Sequence, residues 1–498
     1  MEQVLSAIGV SGNKIEWVDK TIGSGAMKDV YFSPDKSYVV GFFRDALDAN
    51  AQDRLESIVG IYRQKIYGGK NGSYWDNIFC WPHDIVTHDG KTGVVVPTFK
   101  SNFFFKHGSV NNDFLGIKGQ EKNGKWFASA KNQNRFLHEL EKGDLLSYLR
   151  ISILLARGVK RLHAAGLAHS DLSYNNVLID PEGRSACIVD IDGLVVPGKY
   201  PPDVVGTPDF IAPEVMQTKG LPIDHKDRRL PSIYTDRHAL SVLIYMYLLF
   251  RHPLRGGKIH NVDPVRDEEM TMGSKALFIE HPDDASNRPN LNDTHPAESP
   301  YVDVSRLPYS ILGPYLKELF DNAFIDGLHD PQKRPTADEW EYALVKTVDL
   351  LQPCKNPDCK HKWFVFDNKM SPKCPYCDTH YSESLPILNF YSSREHDKFL
   401  PDNYRLMVYH NQYLYRWHTN RFVFPNEKLS EEDKKPVGYF VKHEGSWILV
   451  NQGLPNLFDI KGKKLIPIGG HIILQDSAQI LLDKENGGRL ALVQLVNK

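Results

Sequence analysis

Three polar side chains set at short intervals constrain this 498-residue chain more tightly than any other feature. Asp171 is followed five positions on by Asn176, and after an apolar strand, a turn at "DPEG" and a second strand comes Asp190. Ahead of them, "SYLRISILLARGVKRLHAAG" carries Ile151, Leu154, Leu155, Val159 and Leu162 at the spacing of an amphipathic helix, which Gly166 ends. An acid, an amide and a second acid on a loop and a strand end suit one task. One carboxylate can accept a proton from a hydroxyl, while the amide and the other carboxylate hold magnesium against nucleotide phosphates.

A second signal lies upstream. "TIGSGAMKDVY" (21–31) sets Gly23 and Gly25 between two strand-like runs, where a backbone without side chains can approach phosphates closely. Taken alone, a Gly-x-Gly turn is more often a plain hairpin. Followed in order by the helix, the loop and the second hairpin, it reads as a nucleotide-binding turn.

Composition removes other classes. The formal net charge of −2 offers no global attraction for nucleic acid or anionic lipid. "MEQVLSAIGVSG" has no basic start before an apolar core, and the longest apolar run, 239–250, is too short to span a bilayer. The expectation is a soluble, cytoplasmic protein with neither nucleic acid nor membrane as a partner. The length allows two or three cores. Six cysteines are too few for a disulfide scaffold, and four of them crowd between positions 354 and 377, which points to metal.

Beyond these signals, "HSDLSYNN" resembles the catalytic loop His-Arg-Asp-x-x-x-x-Asn of the eukaryotic-like Ser/Thr protein kinases, and "VDIDG" their Asp-Phe-Gly segment. "GTPDFIAPE" (206–214) is similar to the end of their activation segment. "YTDRHALSVLIYMYLLF" looks like the buried helix whose acid, here Asp236, anchors the catalytic loop, and "DPQKRPT" supplies Arg334 as partner for Glu214. The resemblance runs through roughly the first two-thirds of the chain. It implies an α+β, bilobal protein-kinase fold, with a small lobe over 1–100 and a large lobe over 101–350. It also implies ATP with Mg²⁺ or Mn²⁺ as cofactors, Asp171 as the base, and Asn176 and Asp190 as magnesium ligands. Small-molecule phosphotransferases share that metal site but lack the 206–214 segment, and Thr207 resembles the threonine that Ser/Thr kinases hold near the catalytic acid. A protein hydroxyl is therefore the expected acceptor, with a non-catalytic pseudokinase scaffold as the alternative.

One family feature is missing. In "SYVVGFFRD" (37–45), Gly41 stands where the phosphate-binding lysine of the third strand belongs, and Arg44 lies on the other side of that strand. Lys28, two residues before Val30 in the glycine-rich motif, resembles the relocated lysine of the with-no-lysine kinases, and Gly41 leaves open the volume its stem would cross. ATP binding is thus expected at Gly23, Gly25, Lys28 and Val30. Within "DANAQDRLESIVGIYRQ", Glu56 is the expected helix partner of Lys28, ahead of Asp53. Asp192 is close enough to Asp190 to be a spare ligand, but two acids spaced by two along a strand-like segment read rather as sharing a solvent-facing side. Ser170 replaces the family's phosphate-reading arginine, Tyr200 and Thr207 are the only hydroxyl side chains between Asp190 and Glu214, and Ser173 stands where a lysine is usual. Activation without loop phosphorylation is the corresponding expectation.

Past position 348, Cys354 and Cys359 form one knuckle and Cys374 and Cys377 another, the pattern of a Zn²⁺ ribbon over 351–382, with His361 as a rival ligand. From 385 to 498, short alternating runs separated by turns predict an all-β sandwich. Its tail resembles a degenerate forkhead-associated interaction domain, with Arg416, His418 and Arg421 as its polar surface. The order kinase, ribbon, β-domain resembles bacterial kinases of the tellurite-resistance-associated phosphorylation triad. That implies a von Willebrand A-type protein and a metal-dependent phosphatase as partners, and a partner protein or the enzyme itself as substrate.

Overall fold

The structure, a computed structural model, describes residues 3–24, 27–196, 198–200, 206–370, 372–395 and 398–496. The chain divides into two compact units: 1–143 with 147–309 and 318–341, and 144–146 with 310–317 and 342–498.

In the first unit a hairpin, β1 (Val4–Ile8) and β2 (Lys14–Val18), precedes a five-stranded antiparallel sheet. Its strands are β3 (Thr21–Ser24), β4 (Lys28–Phe32), β5 (Tyr38–Phe43), β6 (Asp84–His88) and β7 (Lys91–Pro97), in spatial order β3-β4-β5-β7-β6. Alternation along β5 sends Val40 and Phe42 into a core with Trp17, Val86 and Val95. Phe43 goes to the other face with Ile85, Val94 and Leu55, the last from helix α1 (Ala49–Ser57). Because Lys28 pairs with Phe43 and Val30 with Gly41, these four residues share that second face. Asp48 starts α1 by accepting the Ala51 N–H.

Downstream, helix α2 (Leu145–Ala164) leads to the hairpin of β8 (Val177–Asp180) and β9 (Ser185–Ile188). Helix α3 (Ile233–Leu249) is buried on all sides, as a helix apolar around its whole circumference must be. Tyr245 on α3 meets Phe278, Phe320 and Phe324 edge-on. Among the described residues, no helix is long and apolar enough to cross a membrane.

Among its described residues the second unit holds a two-stranded ribbon, Leu351–Pro353 paired with Trp363–Val365, and two larger antiparallel sheets. One has six strands in the order Lys398–Met407, Leu385–Glu395, Arg489–Val496, Gln479–Leu481, Phe458–Asp459, Lys464–Leu465. The other has four: Tyr413–Tyr415, Pro436–His443, Ser446–Asn451 and His471–Ile473. Leu388, Leu406, Phe440, Leu449 and Val493 belong to one core, and so do Phe364, Phe366, Cys359 and Cys374. The cysteine-bearing segment, expected as a zinc ribbon over 351–382, shares its buried residues with this core. His418, expected on the polar surface, is buried with its Nε2 3.2 Å from Asp349 Oδ1. The chain turns into a short helix at Arg416–Thr419 there, which rotates His418 inward.

A charged cluster is sealed inside the first unit: Lys122 Nζ lies 2.8 Å from Asp180 Oδ1 and 3.2 Å from Glu141 Oε2, and the lysine side chain is wholly inaccessible. Replacing it by Met leaves two carboxylates facing each other in the interior. The expected cost of Lys122→Met is about 3–5 kcal/mol, read from denaturant unfolding. The triple variant that also carries Glu141→Gln and Asp180→Asn is expected to recover part of it.

Candidate active site

Between the small sheet and the helical part of the first unit lies a cleft of about 580 Å³. Val30, Val39, Val96 and Val189 give it apolar walls, and Gly23, Lys28, Asn176, Asp190 and Asp192 give it polar ones. Flat apolar walls with a few convergent charges suit a heteroaromatic ring bearing an anionic tail.

The loop that carries the acids is tied down from below. Asp236, buried near the start of α3, accepts the His169 N–H at 2.8 Å and the Ser170 N–H at 3.3 Å, and lies 3.0 Å from His163 Nε2. That grip holds Ser170 at φ +65°, a left-handed conformation that a non-glycine residue adopts at a cost. Asp171 Oδ1 accepts from the Thr207 N–H at 2.7 Å and its hydroxyl at 2.9 Å, and Oδ2 accepts from Asn176 Nδ2 at 2.9 Å. Asn176 Nδ2 also donates to the Asp171 carbonyl at 2.8 Å. The end of the activation segment is thus closed onto the loop, and behind it Arg334 makes two bonds of 2.8 and 2.7 Å to the Glu214 carboxylate.

Asp190 sits at φ +58° immediately before a 3₁₀ turn, Ile191–Gly193, which brings Asp192 back into the cleft. The Lys28 ammonium is bonded to Asp192 Oδ2 and lies 4.9 Å from the centre of the Phe43 ring. Its stem crosses Gly41, where an added Cβ would stand 3.4 Å from Lys28 Cδ. Burial opposes the charged form of Lys28, but the charges of Asp192 and Asp190 outweigh it and raise the pKa above the usual lysine value. Burial and the neighbouring Asp192 raise the Asp190 carboxyl, with Lys28 pulling the other way.

The cleft brings together Gly23, Lys28, Val30, Asn176 and Asp190. Asp171 lines an adjoining smaller cavity with Lys28, Asp190 and Asp192. Gly25 lies outside the described residues. Glu56 does not join: its side chain is exposed and accepts from Gln52 Nε2 at 2.8 Å. The helix is rotated so that Leu55 and Ile58 are buried and Glu56 faces outward. Asp53 is taken by the Tyr200 hydroxyl. Asp192 is not on a solvent-facing side; its side chain is 10% exposed, because a 3₁₀ turn and not a strand carries it. Arg44 remains outside the cleft lining, 3.0 Å from Asp29.

Sequence reasoning missed Arg54, which is buried on α1 and lines the smaller cavity with the three aspartates. It stands four positions before the buried Ile58, so helical spacing could have flagged it. Ser173 is buried, and its hydroxyl lies 3.1 Å from that of Thr207. Both hydroxyl residues of the activation segment are therefore engaged, Thr207 by Asp171 and Tyr200 by Asp53.

In the second unit the four sulfurs of Cys354, Cys359, Cys374 and Cys377 all lie within 4.8 Å of one another. Sγ of Cys354 is 3.4 Å from that of Cys377, and Cys359 is 4.0 Å from Cys374. Around Cys377 burial disfavours the thiolate, yet hydrogen bonds from Thr379 and the other sulfurs prevail and bring its pKa down to about 6. His361 is not a member of this group; its ring stacks on Tyr376 at 3.6 Å.

Comparison with known proteins agrees with this geometry. Residues 132–341 match the family described as protein kinase domain. The chain is 35% identical over 120 residues to death-associated protein kinase dapk-1 of Caenorhabditis elegans, covering 24% of this chain and 8% of that protein. It is 27% identical over 147 residues to the serine/threonine-protein kinase PknD of Chlamydia abortus (24% and 14%). It is 31% identical over 114 residues to the serine/threonine-protein kinase PkaB of Streptomyces coelicolor (21% and 25%). The chain spans a quarter or less of the length of each of these relatives. The segment similar to that family contains Asp171 with its clasp, the Asp236 anchor and the Glu214–Arg334 pair.

Proposed function

We propose that the chain is an ATP-dependent Ser/Thr protein kinase of the eukaryotic-like bacterial type, with Lys28 as the cation for the nucleotide phosphates. One observation carries this reading: Lys28 enters the cleft across a side-chain-free Gly41 and ends beside the Asp190–Asp192 turn, opposite the clasped Asp171. Asp171 takes the proton of the acceptor hydroxyl as its oxygen bonds to the γ-phosphorus and the bond from that phosphorus to the ADP oxygen breaks. The bonds from Asn176 and Thr207 fix the direction in which Asp171 presents its carboxylate. Asn176 and Asp190 supply hard oxygen donors suited to magnesium, which when bound neutralises charge on the phosphates. Gly23 and Val30 line the cleft and would cover the nucleotide.

The cysteine cluster suits zinc. Four ligands at about 2.3 Å in a tetrahedron are separated by about 3.8 Å, and the Cys354–Cys377 and Cys359–Cys374 sulfur separations, 3.4 and 4.0 Å, bracket that value. Four thiolates leave no position for water, so the ion is structural, as in a zinc ribbon. The two-sheet β-domain supports a role as an interaction module of forkhead-associated type. By resemblance to the phosphorylation triad, the substrate is a cytoplasmic partner protein of von Willebrand A type or the enzyme itself, opposed by a metal-dependent phosphatase.

Incubation with labelled ATP and Mg²⁺ or Mn²⁺ tests the activity. The wild-type chain is expected to transfer label to protein, and Asp171→Ala to lower the rate by about 10²–10⁴-fold. Arg44→Ala, altering a side chain paired with Asp29 outside the cleft, is expected to retain it. Absence of transfer by the wild type would make the chain a nucleotide-binding scaffold. Gly41→Ile fills the path of the Lys28 stem and is expected to weaken ATP binding about tenfold, measured by calorimetry. Metal analysis is expected to find zinc bound to the wild type and lost, with a lowered melting temperature, in Cys374→Ser.

A further inference from the structure

We infer that Asp192 is the positioning residue for Lys28, so that the phosphate-binding cation is tied to the turn carrying Asp190 and not to helix α1. This rests on the reading of Lys28 as the phosphate lysine.

A lysine has four rotatable carbons and carries about 2 kcal/mol of rotamer entropy, so its charge needs an anchor to act at a fixed point. Every acid that α1 and its cap offer is committed elsewhere. Asp48 caps the Ala51 N–H, Asp53 accepts the Tyr200 hydroxyl, and Glu56 is exposed and accepts from Gln52. The residue that α1 does send toward the catalytic acids is Arg54, a cation that repels an ammonium. Asp192, in contrast, is bonded to Lys28, with side-chain exposures of 10% and 20% for acid and base. Two charges that far out of water hold one another more firmly than a surface pair does.

The anchor sits on a packed turn. Asp190 stands in the left-handed region just before the 3₁₀ turn, without a capping bond from its side chain, and Ile191 is buried between the two acids. The lysine is held on three sides, by Asp192 at its head, the Phe43 ring beside it and the bare backbone of Gly41 under its stem. Moving α1 therefore leaves the Lys28 anchor in place, while moving the Asp190 turn shifts cation and magnesium ligand together.

A double-mutant cycle on the full chain tests this, reading both kcat/KM for transfer and the binding of a non-hydrolysable ATP analogue by calorimetry. Lys28→Met and Asp192→Asn are each expected to lower both quantities by at least about tenfold. The double variant is expected to be no worse than Lys28→Met, since Asp192 acts through that lysine. Asp192→Glu is expected to restore part of the loss, with melting temperatures confirming that each variant is folded. The inference is overturned if the two losses multiply in the double variant, as they do when Asp192 binds magnesium on its own account. It is overturned equally if Asp192→Asn behaves as wild type or Glu56→Gln loses as much. Failure of the wild type to transfer phosphate sinks the proposed activity instead, while the binding cycle still reports on the anchor.

Discussion

Lys28 reaches Asp192 by crossing Gly41 so closely that an added Cβ would already touch the lysine stem, at 3.4 Å from its Cδ. On an antiparallel sheet, diagonal neighbours on one face lie close enough for a long side chain to pass over a small one. The lysine stem runs along β4 across the bare backbone of β5, and its charge is delivered to the turn after β9. A β-branched or longer residue at 41 would occupy that path. The rest of the cleft depends on this crossing, because Asp171, Asp190 and Asp192 crowd one region and burial already raises the Asp190 carboxyl. A nucleotide tail bringing further negative charge needs a cation set among them.

Two other buried charges of the same unit bind a loop to a more rigid element. Asp236 ties α3 to the backbone of the catalytic loop, and Arg334 ties Glu214 to the carbonyls of Gly327 and Leu328. Such pairs add little to net stability against apolar replacements, but losing one partner leaves an uncompensated charge in the interior. What they supply is position. Asp171 presents its carboxylate in one direction because Thr207 and Asn176 hold both oxygens, and the loop beneath it is held in a conformation it would not adopt alone.

The parts of this arrangement legible in the sequence are those carried by local spacing. The helix before the loop, the interval from Asp171 to Asn176 and Asp190, the paired cysteines and the alternating runs after 385 all follow from periodicity and residue chemistry. The coincidence of a lysine at 28 with a glycine at 41 was legible only through the resemblance to kinases that lack the third-strand lysine. The misread positions depend on how an element is rotated or turned. Glu56 and Arg54 are two residues apart, and the packing of Leu55 and Ile58 decides which of them faces inward. Asp192 was read with a strand's period of two, whereas a 3₁₀ turn returned it to the cleft. His418 went inward with a one-turn helix inside a β-domain, a feature no alternation pattern signals.

The claim that the phosphate cation has moved from β5 to β4 is tested most directly by a crystal structure with a non-hydrolysable ATP analogue and Mg²⁺. The account predicts the Lys28 ammonium within about 3 Å of a phosphate oxygen, its stem still lying over Gly41 and Asp192 still beside it. A triphosphate met by Arg54, Arg44 or no cation, with the Lys28 head turned to bulk water, would contradict it.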